Sequence, residues 1–176
     1  MSTSEKPYHH GDLRAALIEA GETLLDAGGD GAVSLREAAR MAGVSATAAY
    51  RHFADKDALL AALAVRGFRA FGQALGEAAA GTKGNPLYAQ GRAYVRFALA
   101  RPGRFRLMFG PLLARAEAHP ELRDTSHHAF DALLAVAGDR DEALRRWAMV
   151  HGLAHLLLDG AIQEENVDAL LERVIS

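Results

Sequence analysis

The sequence predicts an all-α fold, with a three-helix helix-turn-helix unit at the N-terminus and a larger helical domain after it. Three observations carry that expectation. Apolar residues recur at helical spacing along nearly the whole chain, whereas strand-like alternation is absent and Val and Ile are sparse. Breakers such as Gly28-Gly29, Pro102-Gly103 and Gly110-Pro111 interrupt the pattern at lengths that suit helices. Residues 34 to 56 then spell two short helices, a tight turn between them, and the start of a third.

The first helix is expected from about Gly11 to Ala27, with Leu13, Leu17, Ala20 and Leu24 on its buried stripe and Gly28-Gly29 as its stop. Ser34 and Glu37 have capping-box spacing, in which the serine hydroxyl accepts from the Glu37 N–H and the carboxylate reaches back to Ser34. That pair starts a helix near Leu35. Ala38, Ala39 and Ala42 are small enough for a close helix partner, and Gly43 ends the segment. Ser45 is a ready N-cap for a short helix over about Ala46 to His52, which Phe53 anchors in the core.

Asp55 caps a long helix running from Lys56 to about Ala80, with Leu59, Leu60, Leu63, Phe68, Phe71 and Leu75 inward. The run Gly81 to Pro86 is the clearest linker, and Asn85-Pro86 reads as N-cap plus first-turn proline. Later helices are expected to about Arg101, over a short stretch carrying Phe105, Met108 and Phe109, from about Glu121 to Ala137, from Asp139 to Asp159, and from about Asn166 to Ile175. Leu144, Trp147, Ala148, His151, Ala154 and Leu158 share one broad face of the helix over 139–159. The domains divide as 1–56 and 81–176, joined by the long helix 56–80.

A helix-turn-helix places its second helix in the DNA major groove. The outward candidates on that helix are Ser45, Ala46, Thr47, Tyr50 and Arg51. Thr47 offers a hydroxyl and a methyl, Tyr50 a phosphate-bonding hydroxyl, and Arg51 a fork for phosphate or guanine. Arg36 and Lys56 would hold phosphates. A lysine in the first turn of a helix opposes the helix dipole, and a nearby phosphate would compensate for it.

Composition bounds the alternatives. The chain has 176 residues, half of them hydrophobic, with no cysteine and a net charge of −2. Disulfides, thiolate metal sites and a cysteine nucleophile are therefore excluded, and a reducing cytoplasm is expected. No run approaches the roughly 18 uninterrupted apolar residues of a membrane span, and the first ten residues are polar. Residues 1–66 carry seven Lys/Arg against nine Asp/Glu, so any DNA-facing charge must be gathered on one side, with Arg36, Arg40, Arg51 and Lys56 together. There is no P-loop, no G-x-S-x-G and no dinucleotide fingerprint, so neither an enzyme nor a cofactor is implied.

The C-terminal domain holds most of the aromatics, which suits a cavity between helices lined by rings with a few polar groups to orient a guest. The candidates are Tyr94, Phe97, Phe105, Met108, Phe109, His127, Trp147 and His151. His151 and His155 have i,i+4 spacing, and His127-His128 could add a third ligand. Without cysteine or an H-E-x-x-H pattern, core or interface histidines are the expectation over a metal site. Ala148, Gly152, His155 and Asp159 form a ridge suited to a second helix. With the run Leu156 to Leu158, it points to a homodimer through the last two long helices.

The order Ser34-Leu35-Arg36-Glu37-Ala38-Ala39, Ala42-Gly43-Val44-Ser45, Tyr50-Arg51-His52-Phe53 and Asp55-Lys56-Asp57-Ala58-Leu59 resembles the N-terminal domain of the TetR family of bacterial transcriptional repressors. Tyr8 to Arg14 is similar to the first helix of one subgroup, whose C-terminal WHG-type domain is matched in form by Trp147 and His151-Gly152. Ala49 departs from the pattern, since close relatives often carry proline there. The resemblance implies a homodimeric, cytoplasmic, non-enzymatic regulator that binds a palindromic double-stranded DNA operator. It further implies repression relieved when a small-molecule effector enters the C-terminal domain. The runner-up from another class is a helical dimer that senses a metal or ligand without repressing DNA.

Overall fold

The computed structural model describes residues 13–175. The chain is all-α: α1 (Leu13–Ala32), α2 (Leu35–Met41), α3 (Ala46–Tyr50), α4 (Lys56–Gly81), α5 (Pro86–Ala100), α6 (Pro102–Met108), a 3-10 turn (Leu113–Ala118), α7 (Pro120–Ala137), α8 (Arg140–Leu158) and α9 (Val167–Ile175). No strand occurs among the described residues. The expected start of the first helix at Gly11, and most of the Tyr8 to Arg14 run, lie outside them.

Side-chain caps set most helix starts. Ser34 accepts from the Glu37 N–H at 3.1 Å, Ser45 from Ala48 at 3.2 Å, Asp55 from Ala58 at 2.8 Å and Asn85 from Leu87 at 3.0 Å. Each satisfies a backbone donor that the helix itself leaves open. The capping box at Ser34 is half-made, because the Glu37 carboxylate accepts from Arg40 Nε at 3.0 Å and 3.1 Å instead of reaching back. An arginine one turn on offers two charge-assisted donors, which outcompete one amide. Within α1, Gly28 and Gly29 leave helical geometry (Gly29 φ 70°), so the continuous part of α1 stops where the glycines were expected to stop it.

The long α4 is the spine. Leu59, Leu60, Leu63, Phe68, Phe71 and Leu75 are all buried along it. Its N-terminal end packs on α1, and its remaining length packs on α5, α6 and α7. Among the described helices α4 alone has the length and composition of a membrane span, yet its apolar residues are the ones packed into the core.

Two elements differ from expectation. Leu113–Ala118 winds as a 3-10 turn that the glycine and proline signals did not reveal. On α8 the inward face is Ala143, Val150, Leu153 and Ala154, while Leu144 (46% exposed) and Ala148 face out. The apolar run of α8 surrounds the helix, so composition could not say which side its neighbours take.

Helix α6 approaches the backbone of α1 closely at Gly103. A Cβ on Gly103 would lie 2.5 Å from the Leu25 carbonyl oxygen, which is backbone and cannot swing away. Gly103→Ala is therefore expected to cost about 1–3 kcal/mol, read from urea unfolding, by forcing α6 off α1. Unchanged stability would mean that the contact is loose.

Candidate functional site

The chain builds two candidate sites, a helix-turn-helix head and a cavity in the C-terminal half. In the head, Ala42 ends α2 and Gly43 takes a left-handed conformation (φ 70°). The Val44 N–H then bonds the Ala39 carbonyl at 2.9 Å and the Gly43 N–H bonds Arg40 at 3.2 Å, which is a Schellman turn. This turn sets the angle at which α3 leaves α2. Ala49 roots α3 in the core at 0% exposure, and buried Phe53 pins its end.

The outer side of α3 is open among the described residues. Ser45, Thr47, Tyr50 and Arg51 are exposed and Ala46 is half-buried. Tyr50 stands 49% exposed, a high value for an aromatic ring. Arg36 is also exposed. Lys56 donates from Nζ to the Asp30 carbonyl at 2.7 Å, which fixes its ammonium beside the end of α1. Arg40 is committed to Glu37, with each group's charged form favoured first by their hydrogen bond. The free cations of this face are thus fewer than the sequence count suggests.

The cavity, about 410 Å³, lies between α4, α5, α7, α8 and the 3-10 turn. That is within the usual range for small-molecule sites. Of the expected residues, Tyr94, Phe109, His127 and Trp147 line it. Phe97, Phe105, Met108 and His151 do not. Phe97 stacks edge-on behind Phe71 at 5.2 Å, and Phe105 is fully buried beneath Tyr94 and Phe109. Met108 fills the space over Gly67, where a Cβ would meet its sulfur at 2.7 Å. His151 stands behind Tyr94. These four form a second layer, which helical spacing alone does not separate from the first.

The wall residues that the sequence reading missed include Phe68, Phe71 and Leu75 from α4, Gln90 from α5, and Arg123, Arg140 and Arg146 from α7 and α8. The α4 residues were read as core, and that stripe carries no mark of where core ends and void begins. Gln90 sat unnoticed between apolar neighbours. It is 2% exposed, and its Nε2 donates to the Ala132 carbonyl at 3.3 Å, while its Oε1 has no partner.

A three-member polar chain runs from the wall residues Trp147 and Tyr94 to His151 behind them. The Trp147 indole N–H donates to the Tyr94 hydroxyl at 3.1 Å, and the hydroxyl donates to His151 Nδ1 at 2.8 Å. Indole is only a donor, so the tyrosine oxygen must accept from it and send its own proton to the imidazole. That requires a bare Nδ1. Burial, with the charge of His155 adding to it, pushes the His151 pKa down and favours this neutral form. Burial also pushes the Tyr94 phenol up, against the opposing hydrogen bond from Trp147, so it stays protonated.

His151 and His155 face each other at 4.6 Å between ring centroids, and no group of three His, Asp or Glu converges among the described residues. His155 also packs on Phe105 at 5.4 Å, and Asp159 pairs with Arg106 at 2.6 Å. Both were expected on the dimer ridge, and both make contacts to α6 within the chain.

Helix α6 connects the cavity wall to the head. Arg104 donates to Glu22 at 2.8 Å and to both oxygens of Asp26 at 3.0 Å and 2.9 Å, all on α1. Arg101 adds a contact to Asp26 at 2.9 Å, and Arg66 of α4 approaches Glu22 at 3.4 Å. Burial raises the Asp26 carboxyl, but the two arginines outweigh it and hold the group below the usual carboxylate range. Next to Arg104, Phe105 supports the cavity wall, and Arg106 reaches the end of α8.

Residues 87–176 match the family description "Tetracyclin repressor-like, C-terminal domain", and residues 17–63 match "Bacterial regulatory proteins, tetR family". A protein of unknown function from Rhodococcus sp. RHA1 is 32% identical over 96% of this chain and 94% of its own, with a TM-score of 0.82. The fatty acid degradation regulator FadR from Bacillus halodurans shares the fold (TM-score 0.69, 14% identity, 94% of each chain). So does the multidrug binding protein EbrR complexed with imidazole (TM-score 0.65, 22% identity, 98% of this chain and 93% of that one). No curated protein matches the chain.

Tyr94→Phe removes the oxygen shared by Trp147 and His151 and leaves two half-buried polar groups unpaired. A loss of about 1–3 kcal/mol in chemical unfolding is expected, with a red-shifted Trp147 emission. Wild-type stability would show that solvent already serves these groups.

Proposed function

The chain belongs to the tetR family of bacterial regulatory proteins, and we propose that it is a cytoplasmic, homodimeric repressor released from a palindromic DNA operator by a small-molecule ligand. Residues 1–56 form the reading head, α4 transmits, and residues 81–176 bind the effector and the second protomer. It is not an enzyme on this reading.

The observation that carries the proposal is the form of α3. A helix too short to be stable alone is capped by Ser45, rooted by Ala49, and presents Thr47, Tyr50 and Arg51 to open solvent. Exposing an aromatic and an arginine on a rigid base suits a surface that meets phosphates and base edges. Arg36 and Lys56 flank it as phosphate contacts.

A single head reads too few bases for tight binding, so a second copy is required. Leu144, Ala148, Gly152 and Leu156 recur every fourth residue on the outer side of α8, and all are exposed. Two small residues between two leucines let the same ridge of a second copy pack across it with two-fold symmetry. This stripe shares Ala148 and Gly152 with the ridge of Ala148, Gly152, His155 and Asp159 read from the sequence.

Release requires the ligand to favour a conformation in which the heads no longer match the operator; a ligand indifferent to the two states shifts nothing. Tyr94, Phe109, His127 and Trp147 of the cavity are the contacts assigned to it. Phe109 lies one residue beyond α6, so filling the cavity displaces the helix that holds α1.

The test is fluorescence anisotropy on DNA fragments selected by the protein from bacterial genomic DNA, over a salt series. One dimer per site is expected, with affinity falling linearly in log salt. Tyr50→Ala and Arg51→Ala should each weaken binding by about 1–3 kcal/mol, and Lys56→Ala should reduce the salt slope by about one. Binding no tighter than to scrambled DNA, unchanged by these substitutions, would leave the helix-turn-helix as a structural corner.

A further inference from the structure

The cavity is not uniformly apolar, and its polar groups have one dominant sign. Of the charged side chains lining it, three are arginines (Arg123, Arg140 and Arg146) and one is a carboxylate, Glu117. Arg123 is paired with Asp124 at 2.8 Å and Glu117 at 3.4 Å, and Arg146 with Glu142 at 2.7 Å. Glu142 is shared with Arg145, so two guanidiniums draw on one acid. Arg140, at the start of α8, makes no ion pair among the described residues. The same space is also lined by the rings of Phe68, Phe71 and Phe109.

We propose that the cavity binds an amphipathic organic anion, its apolar body among Phe68, Phe71 and Phe109 and its negatively charged end at Arg140. The proposal rests on the cavity being the effector site. A cationic amphiphile would meet three guanidiniums and gain one carboxylate already engaged by Arg123. A neutral one would bury its body equally well but leave Arg140 unanswered. The anion gains a charge-assisted contact at the rim without breaking an existing pair.

Trp147 is the only tryptophan of the chain and stands in the cavity wall, so its emission reports occupancy without DNA. The full-length protein is titrated with decanoate, 1-decanol and decylammonium, which share one apolar body. Decanoate is expected to bind about fivefold or more tightly than the other two, the scale of a partly exposed ion pair. Arg140→Gln should reduce that preference below about twofold, and Arg140→Glu should reverse it in favour of decylammonium. The exposed, unpaired side chain makes both variants compatible with an unchanged melting temperature. Equal binding of all three, or a preference that survives Arg140→Glu, overturns the anion while leaving the cavity a ligand site. No change in Trp147 emission with any of them overturns both readings.

Discussion

Arg104 is the side chain on which the relation between the two halves of the molecule rests. It is 18% exposed, and it meets Glu22 and Asp26, one turn apart on α1, with three hydrogen bonds. A buried network of this kind adds little net stability over an apolar contact of the same shape, because desolvation offsets the attraction. What it supplies is geometry. A guanidinium fork facing two carboxylates has few acceptable positions, and Gly103 next to it allows α6 to approach the α1 backbone without a side chain between them. The result is one angle between the head and the rest.

The position of α6 gives that angle its consequence. Three successive residues face three parts of the fold: Arg104 meets α1, Phe105 supports the rings of the cavity wall, and Arg106 holds the end of α8. In the wall and just behind it, Trp147, Tyr94 and His151 form a polar chain that links α5 to α8. A packed interior does not yield continuously. On the proposed mechanism, an occupant that pushes on Phe109 moves α6 as a unit, and the ion cluster passes that movement to α1 rather than absorbing it. The head itself is stiff, held by the Schellman turn and the Ser45 cap, so it turns as a body.

Much of this was legible in the sequence, for local reasons. Ser34, Ser45, Asp55 and Asn85 cap helices because a short polar side chain before an apolar periodic run has few other uses, and the glycine and proline breaks fell where expected. The buried stripe of α4 followed from its 3.6-residue period. Long-range pairings were not legible. Nothing local distinguishes Arg104 from the other arginines of the chain, since its partners lie about eighty residues away on another helix. The same limit divided the aromatics: Phe105 and Phe109 are one turn apart, yet the first is sealed in the core and the second faces a void. The face read as one on α8 divides in the same way, with Ala154 buried and Leu144 exposed. Of the residues read as a dimer ridge, Ala148 and Gly152 are exposed, while His155 and Asp159 also contact α6.

The most direct test of the coupling is the distance between the two heads of a dimer. The chain has no cysteine, so Thr47→Cys places one spin label on each α3, on the outward side. Pulsed electron resonance then gives the full distribution of separations. The account expects a single narrow population near the roughly 34–36 Å of one DNA turn when operator is bound. In free protein it expects that Arg104→Gln alone, with helicity and dimerisation intact, broadens the distribution or moves it by several ångströms. Identical distributions with and without Arg104 would contradict it, and the angle of the heads would then be set elsewhere.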